Sequence, residues 1–217
     1  MATLETEDAN ILDADAVNWR KIVYPVVGAV VLLLGGLAIY YYQQSQRDEQ
    51  ETEARQAIVQ STTPEALRQV ADQYPKTTQA GFALLGAGDL SMAQRDYAGA
   101  GKDYRRVADS SDADPILRDS ARIGLGSALE ADNKLDEAIE AYLTVAHRGK
   151  ASPYAPFAYT SAARLYEQKN DKENERKILT EAAGMGGDSP FIKEADYRLK
   201  ALERSAPSPA TPATNGP

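Results

Sequence analysis

The one histidine of this 217-residue chain, His147, is where acid–base chemistry would have to start, and there are no cysteines at all. A Ser–His–Asp arrangement needs a serine exposed on a tight, glycine-flanked turn. His147 sits instead in "AHRGK", after a helical pattern with no glycine-flanked serine. It reads as a surface histidine near a helix C-terminus, where the dipole favours positive charge. Without cysteine there is no disulfide, no thiolate metal site and no thiol nucleophile. "AAGMGGD" (Ala182–Asp188) is glycine-rich, but a phosphate loop needs a preceding strand and a Gly-Lys-Ser/Thr ending. It reads as a helix stop. The neighbouring acids Asp136 and Glu137 could be taken for a hydrolytic pair. They fall where a turn enters a helix, and carboxylates favour that end of a helix on electrostatic grounds alone. The expectation is no enzyme, no cofactor and no bound metal. With 24 Lys+Arg against 32 Asp+Glu, net −8, the surface is mildly acidic. Nucleic acid, which requires clustered positive charge, is not an expected partner.

Binding, then, is the chemistry left, and the elements that would position it come next. Residues 22–42, "IVYPVVGAVVLLLGGLAIYYY", carry no charge. As a helix they would extend roughly 31 Å, the thickness of bilayer hydrocarbon. A cleaved signal peptide has a shorter apolar core followed by small residues. Here the run ends in Tyr40, Tyr41 and Tyr42, a poor cleavage site but a good interfacial belt, with Trp19 and Tyr24 at the other end. Pro25 is expected in the first helical turn, where it is tolerated. Arg20 and Lys21 abut the N-terminal end, whereas the first base beyond the run is Arg47, among acids. By the positive-inside rule the head, 1–21, stays cytoplasmic and the bulk of the chain is exported. The last stretch, 205–217, is Pro, Ala, Ser and Thr without a large apolar residue and is expected to be a disordered tail.

Between these ends, 43–204 shows helical periodicity and no alternating strand pattern. Three segments align without gaps, at spacings of 38 and 37 residues: 82–108, 120–146 and 157–183. Each has a first helix with a small residue at its centre (Gly88, Gly126, Ala163), then a polar turn. A second helix follows with a small residue, a ring four later and a β-branched residue three after that (Ala100–Tyr104–Val107, Ala138–Tyr142–Val145). Close helical hairpins explain this: small residues let backbones approach, and a ring one turn on fills the space between hairpins. Gly126 is expected to face Ala138, with Tyr142 between hairpins. The third segment departs, with Glu175 at the small position and Leu179 at the ring position, and is expected to be splayed or slightly different in register. Thr63–Pro64, Asp114–Pro115, Ser152–Pro153 and Ser189–Pro190 read as capped helix starts. The helix 190–204 has one apolar face (Ile192, Ala195, Leu199, Leu202) and a charged one, as a terminal cap requires.

"LG" at Leu125–Gly126, Ala138 with Tyr142, and the closing Pro153 resemble the tetratricopeptide repeat. The fold expected is all-α: a single N-terminal transmembrane helix followed by a tetratricopeptide-like helical-hairpin solenoid. Together with "LRQVADQYPKTTQAGFALLGAGDL", the layout resembles the YfgM-like family, ancillary subunits of the Sec translocon in the bacterial inner membrane. "YPKTTQA" is also similar to an outer-membrane assembly lipoprotein and a cell-division coordinator, which lack this anchor. The resemblance implies an inner-membrane, single-pass protein with a periplasmic domain. Its partners would be translocon subunits, a periplasmic chaperone or an exported polypeptide, besides the bilayer around 22–42. A self-assembling envelope element or assembly adaptor, working as a homo-oligomer, is the alternative. In such solenoids the first helices line a concave face. By helical phase that face comprises Leu85, Asp89 and Met92, then Ile123, Ser127 and Glu130, then Thr160, Arg164 and Glu167.

Overall fold

A computed structural model describes the backbone of residues 19–205 and the side chains of 23–204. The acidic head and the Pro-rich tail lie outside the described residues, as do the side chains of Trp19, Arg20 and Lys21, on which the expected orientation rests. Among the described residues everything regular is helix. The chain divides into two units, Met1–Glu49 and Gln50–Pro217.

The first unit is the apolar part of α1 (Trp19–Gln60). Every described side chain from Val23 to Tyr42 is exposed. One described helix is therefore long and apolar enough to cross a membrane, and the described side chains of its apolar stretch are exposed. Pro25 corrects the sequence reading. The helix begins at Trp19, so the proline lies inside it rather than in its first turn. There it removes one hydrogen bond to the carbonyl four residues back.

The second unit starts in the last turns of α1 and continues through α2 (Pro64–Gln73), α3 (Thr78–Ala93), α4 (Tyr97–Ala108), α5 (Pro115–Ala131), α6 (Leu135–Ala146), α7 (Ala155–Gln168), α8 (Lys172–Gly184) and α9 (Pro190–Ser205). Each helix from α2 on packs on the next, and the first helices of hairpins also touch, α3 on α5 and α7 on the closing α9.

One turn builds all three hairpins. Arg95, Asn133 and Asn170 hold left-handed φ of 63°, 61° and 57°. The next backbone N–H then reaches back over the turn: Asp96 to Ser91 at 2.9 Å, Lys134 to Leu129 at 2.8 Å, Asp171 to Tyr166 at 2.9 Å. This closes the last carbonyls of the first helix and reverses the chain. The second helix then needs a cap. Asp96 accepts from Gly99 N–H at 2.9 Å and Asp171 from Asn174 N–H at 3.1 Å, while Lys134 has nothing to offer. Thr63 and Asp114 cap α2 and α5 with proline behind them. The third expected start is displaced. A short 3₁₀ turn (Gly149–Ala151) intervenes, Ser152 accepts from Tyr154 N–H, and α7 begins at Ala155 with Pro156 in its first turn.

The core is made of small residues opposed to rings. A Cβ on Gly88 or on Gly124 would come within 2.7 Å of Tyr104, so this ring is lodged between its own hairpin and the next. A Cβ on Gly126 would meet Tyr142 at 2.7 Å, and all the atoms nearest to it belong to that ring. Gly126 thus lies under the Tyr142 ring. The ring still reaches the next hairpin, edge-to-face on Phe157 at 6.4 Å. In the third hairpin both partners change together: Leu179 stands for the ring and Ala163 for the glycine, each fully buried. That hairpin is not splayed. Ile178, Leu179 and Ala182 are buried, and Glu175, 3% exposed, is met by Arg198 of α9 at 2.9 Å.

Candidate protein-interaction faces

Repeat spacing places the nine candidate residues in three columns along α3, α5 and α7: Leu85, Ile123, Thr160; Asp89, Ser127, Arg164; and Met92, Glu130, Glu167. The first column is largely absorbed into packing. Leu85 and Ile123 are half-buried against the core clusters. Thr160, expected on the open side, is 6% exposed and corrects that expectation. Its hydroxyl donates to Phe157 O at 2.9 Å, so burial leaves no polar atom unpaired. Met92 is half-buried against the cluster around Tyr104.

Apart from Met92, the other two columns are polar and form a ladder. The Tyr104 hydroxyl donates to Asp89 Oδ1 at 2.5 Å. Burial first, and then this bond, push the Tyr104 phenol well above its ordinary range. Ser127 and Tyr142 hydroxyls share a hydrogen bond at 3.1 Å, and Tyr142 also points at Glu130 Oε2 at 3.4 Å. Burial raises the Tyr142 phenol too, partly opposed by Ser127. Arg164 grips Glu130 with both terminal nitrogens at 2.7 Å, joining the second and third hairpins. Glu167 accepts from Arg198 at 2.8 Å, which ties the third hairpin to α9. Asp89, Arg164 and Glu167 remain exposed. The columns therefore do two things: they hold neighbouring hairpins in register, and they present alternating charge on the first-helix side.

Other ties were missed because they join residues distant in sequence. Arg68 of α2 donates to Asp103 of α4 through Nε at 3.0 Å and Nη2 at 2.8 Å, and to Ser91 of α3 at 2.9 Å. Asp119, fully buried at the start of α5, takes Arg148 at 2.6 Å. The only signal in the sequence was an acid at an apolar phase of a helix. His147 caps α6, exposed, with Nε2 3.6 Å from Glu181 and its ring edge-to-face on Tyr159. "AAGMGGD" ends α8, with Gly186 and Gly187 at positive φ. Among the described residues no group of three or more acids and histidines is placed to hold a metal ion.

On the second-helix side two shallow hollows flank α6. One, of about 430 Å³, lies between α6 and α7; the other, of about 260 Å³, lies among α4, α5 and α6. Sequence phase pointed to the first helices and overlooked this side.

Comparison with known proteins bears on the whole arrangement. A family model described as a tetratricopeptide repeat-like domain matches residues 16–150, which takes in the apolar stretch as well as the first two hairpins. No curated protein gives a significant match. Among solved structures, the crystal structure of BtubC (BKLC) from P. vanneervenii is similar, with a TM-score of 0.50 and 19% identity. The likeness covers 73% of this chain and 66% of that one, so the chain spans just under two thirds of its length. At that identity the likeness concerns the fold alone.

Proposed function

Because the chain belongs to the tetratricopeptide repeat-like domain family, we propose that it is a membrane-anchored scaffold for protein–protein interaction on the exported side of a bacterial inner membrane, serving the Sec translocon or periplasmic chaperones. The observation that carries this reading is that one family match takes in both the apolar stretch and the hairpins. This supports reading the apolar stretch as an anchor that belongs with the scaffold. An apolar helical stretch, 23–42, with all its side chains exposed has a physical reason to sit in lipid. Stacked hairpins with little enclosed volume suit a polypeptide ligand better than a small one. The contact surface proposed is the first-helix face, with Asp89, Arg164 and Glu167 as its exposed polar groups and Met92 and Ile123 as apolar ones.

The test has two arms. A reporter fused after Tyr42 should be active only in the exported compartment, and the full chain should resist carbonate extraction. A soluble form starting near Gln43 would overturn the anchor. Full chain purified from membranes in mild detergent should carry translocon subunits or chaperones, and lose them when Asp89, Arg164 and Glu167 are replaced together. A self-crosslink that persists in the purified chain alone, with no co-purifying partner, would assign the face to self-assembly instead.

A further inference from the structure

We infer that the outer side of α6 is a second docking surface, built for a cationic amphipathic segment of a partner protein. It is independent of the first-helix face. Helix α6 turns Ala138, Ile139, Tyr142 and Val145 inward and leaves Glu137, Glu140 and Thr144 exposed. The two hollows lie on its two flanks. The larger has Ile139, Leu143 and Tyr166 among its lining; the smaller has Leu125 and Leu129. Glu140 and Thr144 border both and form the ridge between them. One ligand can therefore seat apolar side chains in the larger hollow, straddle the ridge with its backbone, and place polar or cationic groups in the smaller hollow, whose open lining is mainly polar. A helix carrying large apolar residues at three- and four-residue spacing has that geometry. Open, shallow hollows suit such side chains; a small molecule needs a site that encloses most of its surface.

Charge selects the ligand. Glu137, Glu140 and Asp109 stand at these rims and have no ion-pair partner among the described residues. The cations nearby are mostly engaged elsewhere. Arg122 donates to Ala108 O at 2.9 Å and faces buried Asp119, and Lys169 is held by Asp136. Among the described residues that line the hollows, Arg105 is the one Lys or Arg left to oppose the three carboxylates, and Lys134, which lies near Glu137, is already paired with Asp132. The ridge is thus negative beside the apolar floor of the larger hollow, and its complement is Lys or Arg flanking Leu-like residues.

The experiment uses the full chain in non-ionic detergent and two fluorescent model peptides of roughly four helical turns. Both have the same leucine pattern and one photoreactive leucine; one is filled with lysine, the other with glutamate. The lysine peptide should bind, weaken as salt rises, and crosslink to α6 or α7 near the hollows. Glu137→Lys with Glu140→Lys should lower its affinity by about tenfold or more and admit the glutamate peptide. Thr144→Arg, at an exposed position on the ridge, should also block it while helix content is unchanged. Asp89→Lys on the first-helix face should leave binding as it was. Three results would each overturn the proposal: equal binding of both peptides, indifference to the charge reversal, or crosslinks confined to α3. Loss of native partners from the first-helix variants bears only on the other face, so the two readings fail separately.

Discussion

Two chemically identical substitutions should have opposite effects on stability. Gly101→Ala in α4 would place a Cβ 3.7 Å from Leu125, an ordinary contact. Relieved of glycine's backbone entropy, the helix should gain about 1 kcal/mol. Gly126→Ala earns the same propensity gain in α5 but places its Cβ at 2.7, 2.9 and 2.9 Å from three atoms of the Tyr142 ring. The ring cannot swing away. It is 1% exposed, edge-on to Phe157 and bonded through its hydroxyl to Ser127. Nearly 1 Å of displacement is needed, which belongs at the upper end of the ~1–3 kcal/mol range for overpacking. The net is a loss of about 2 kcal/mol, hence a gap of about 3 kcal/mol between the two variants. At about 2–4 °C per kcal/mol for a domain of this size, their melting temperatures should differ by roughly 6–12 °C.

The third hairpin shows how the clash is relieved, since it pairs Ala163 with Leu179. In a Tyr142→Leu background, Gly126→Ala should therefore cost little or become favourable, with a coupling of about 2–3 kcal/mol across the cycle. The assay is thermal and urea unfolding of the full chain in non-ionic detergent, followed by circular dichroism. If Gly126→Ala is as stable as Gly101→Ala, or costs the same in both backgrounds, the ring-on-glycine packing is wrong.

Three further outcomes follow from the same geometry. Lys134→Asp should stabilise by about 1 kcal/mol in the same melts, because position 134 has the backbone of Asp96 and Asp171 but no capping oxygen, and what it loses, an exposed pair with Asp132 and a weaker attraction to Glu137, is worth little. Arg198→Met leaves Glu175 buried without a partner, so it should cost about 3–5 kcal/mol, while adding Glu175→Ala should recover much of the loss. Hydrogen bonds from Asn174, side chain first and then backbone, hold Asp171 below the usual carboxylate range. A depressed folded value means its stabilisation is full above the unfolded value and is lost as pH falls through the folded one. Asp171→Asn should accordingly flatten the acid limb of the stability profile, read by urea unfolding between neutral pH and the carboxylate range.

What could be read in advance was whatever depends on local periodicity. An uncharged run of membrane length, helices broken by polar turns, and the small–ring–branched spacing all need only near neighbours. The ring-on-glycine contact needed more. Glycine and tyrosine were each visible as special, but the sequence does not say that Tyr104 also serves Gly124 of the following hairpin. Thr160 was misjudged for a related reason. It shares a column with Leu85 and Ile123, yet it is the helix packed against α9, α7, that carries it. The end of a repeat array is not equivalent to its middle. Glu175 was read as a defect because its partner, Arg198, comes 23 residues later on the closing helix. Long-range ion pairs leave no periodic trace.

The Glu130–Arg164 pair is where the structural and the functional readings of the first-helix face can be separated. As a tie between hairpins, its geometry is good: two parallel bonds at 2.7 Å, with the Arg164 guanidinium held more firmly protonated chiefly by its bond to Glu130. It is also partly exposed, so its contribution to stability should be about 1 kcal/mol or less. As part of a docking face, its polarity along the groove matters as much as its strength. Exchanging the two residues, Glu130→Arg with Arg164→Glu, tests both at once. Either change alone sets two like charges against each other and should lower the melting temperature. The exchange should restore most of it, since the pair is remade with its ends reversed. Partner capture from native membranes should not recover, because the charge order presented between the second and third hairpins is inverted. Failure to regain stability would mean the pair is not a tie. Full stability with undiminished capture would remove this part of the face from the contact surface.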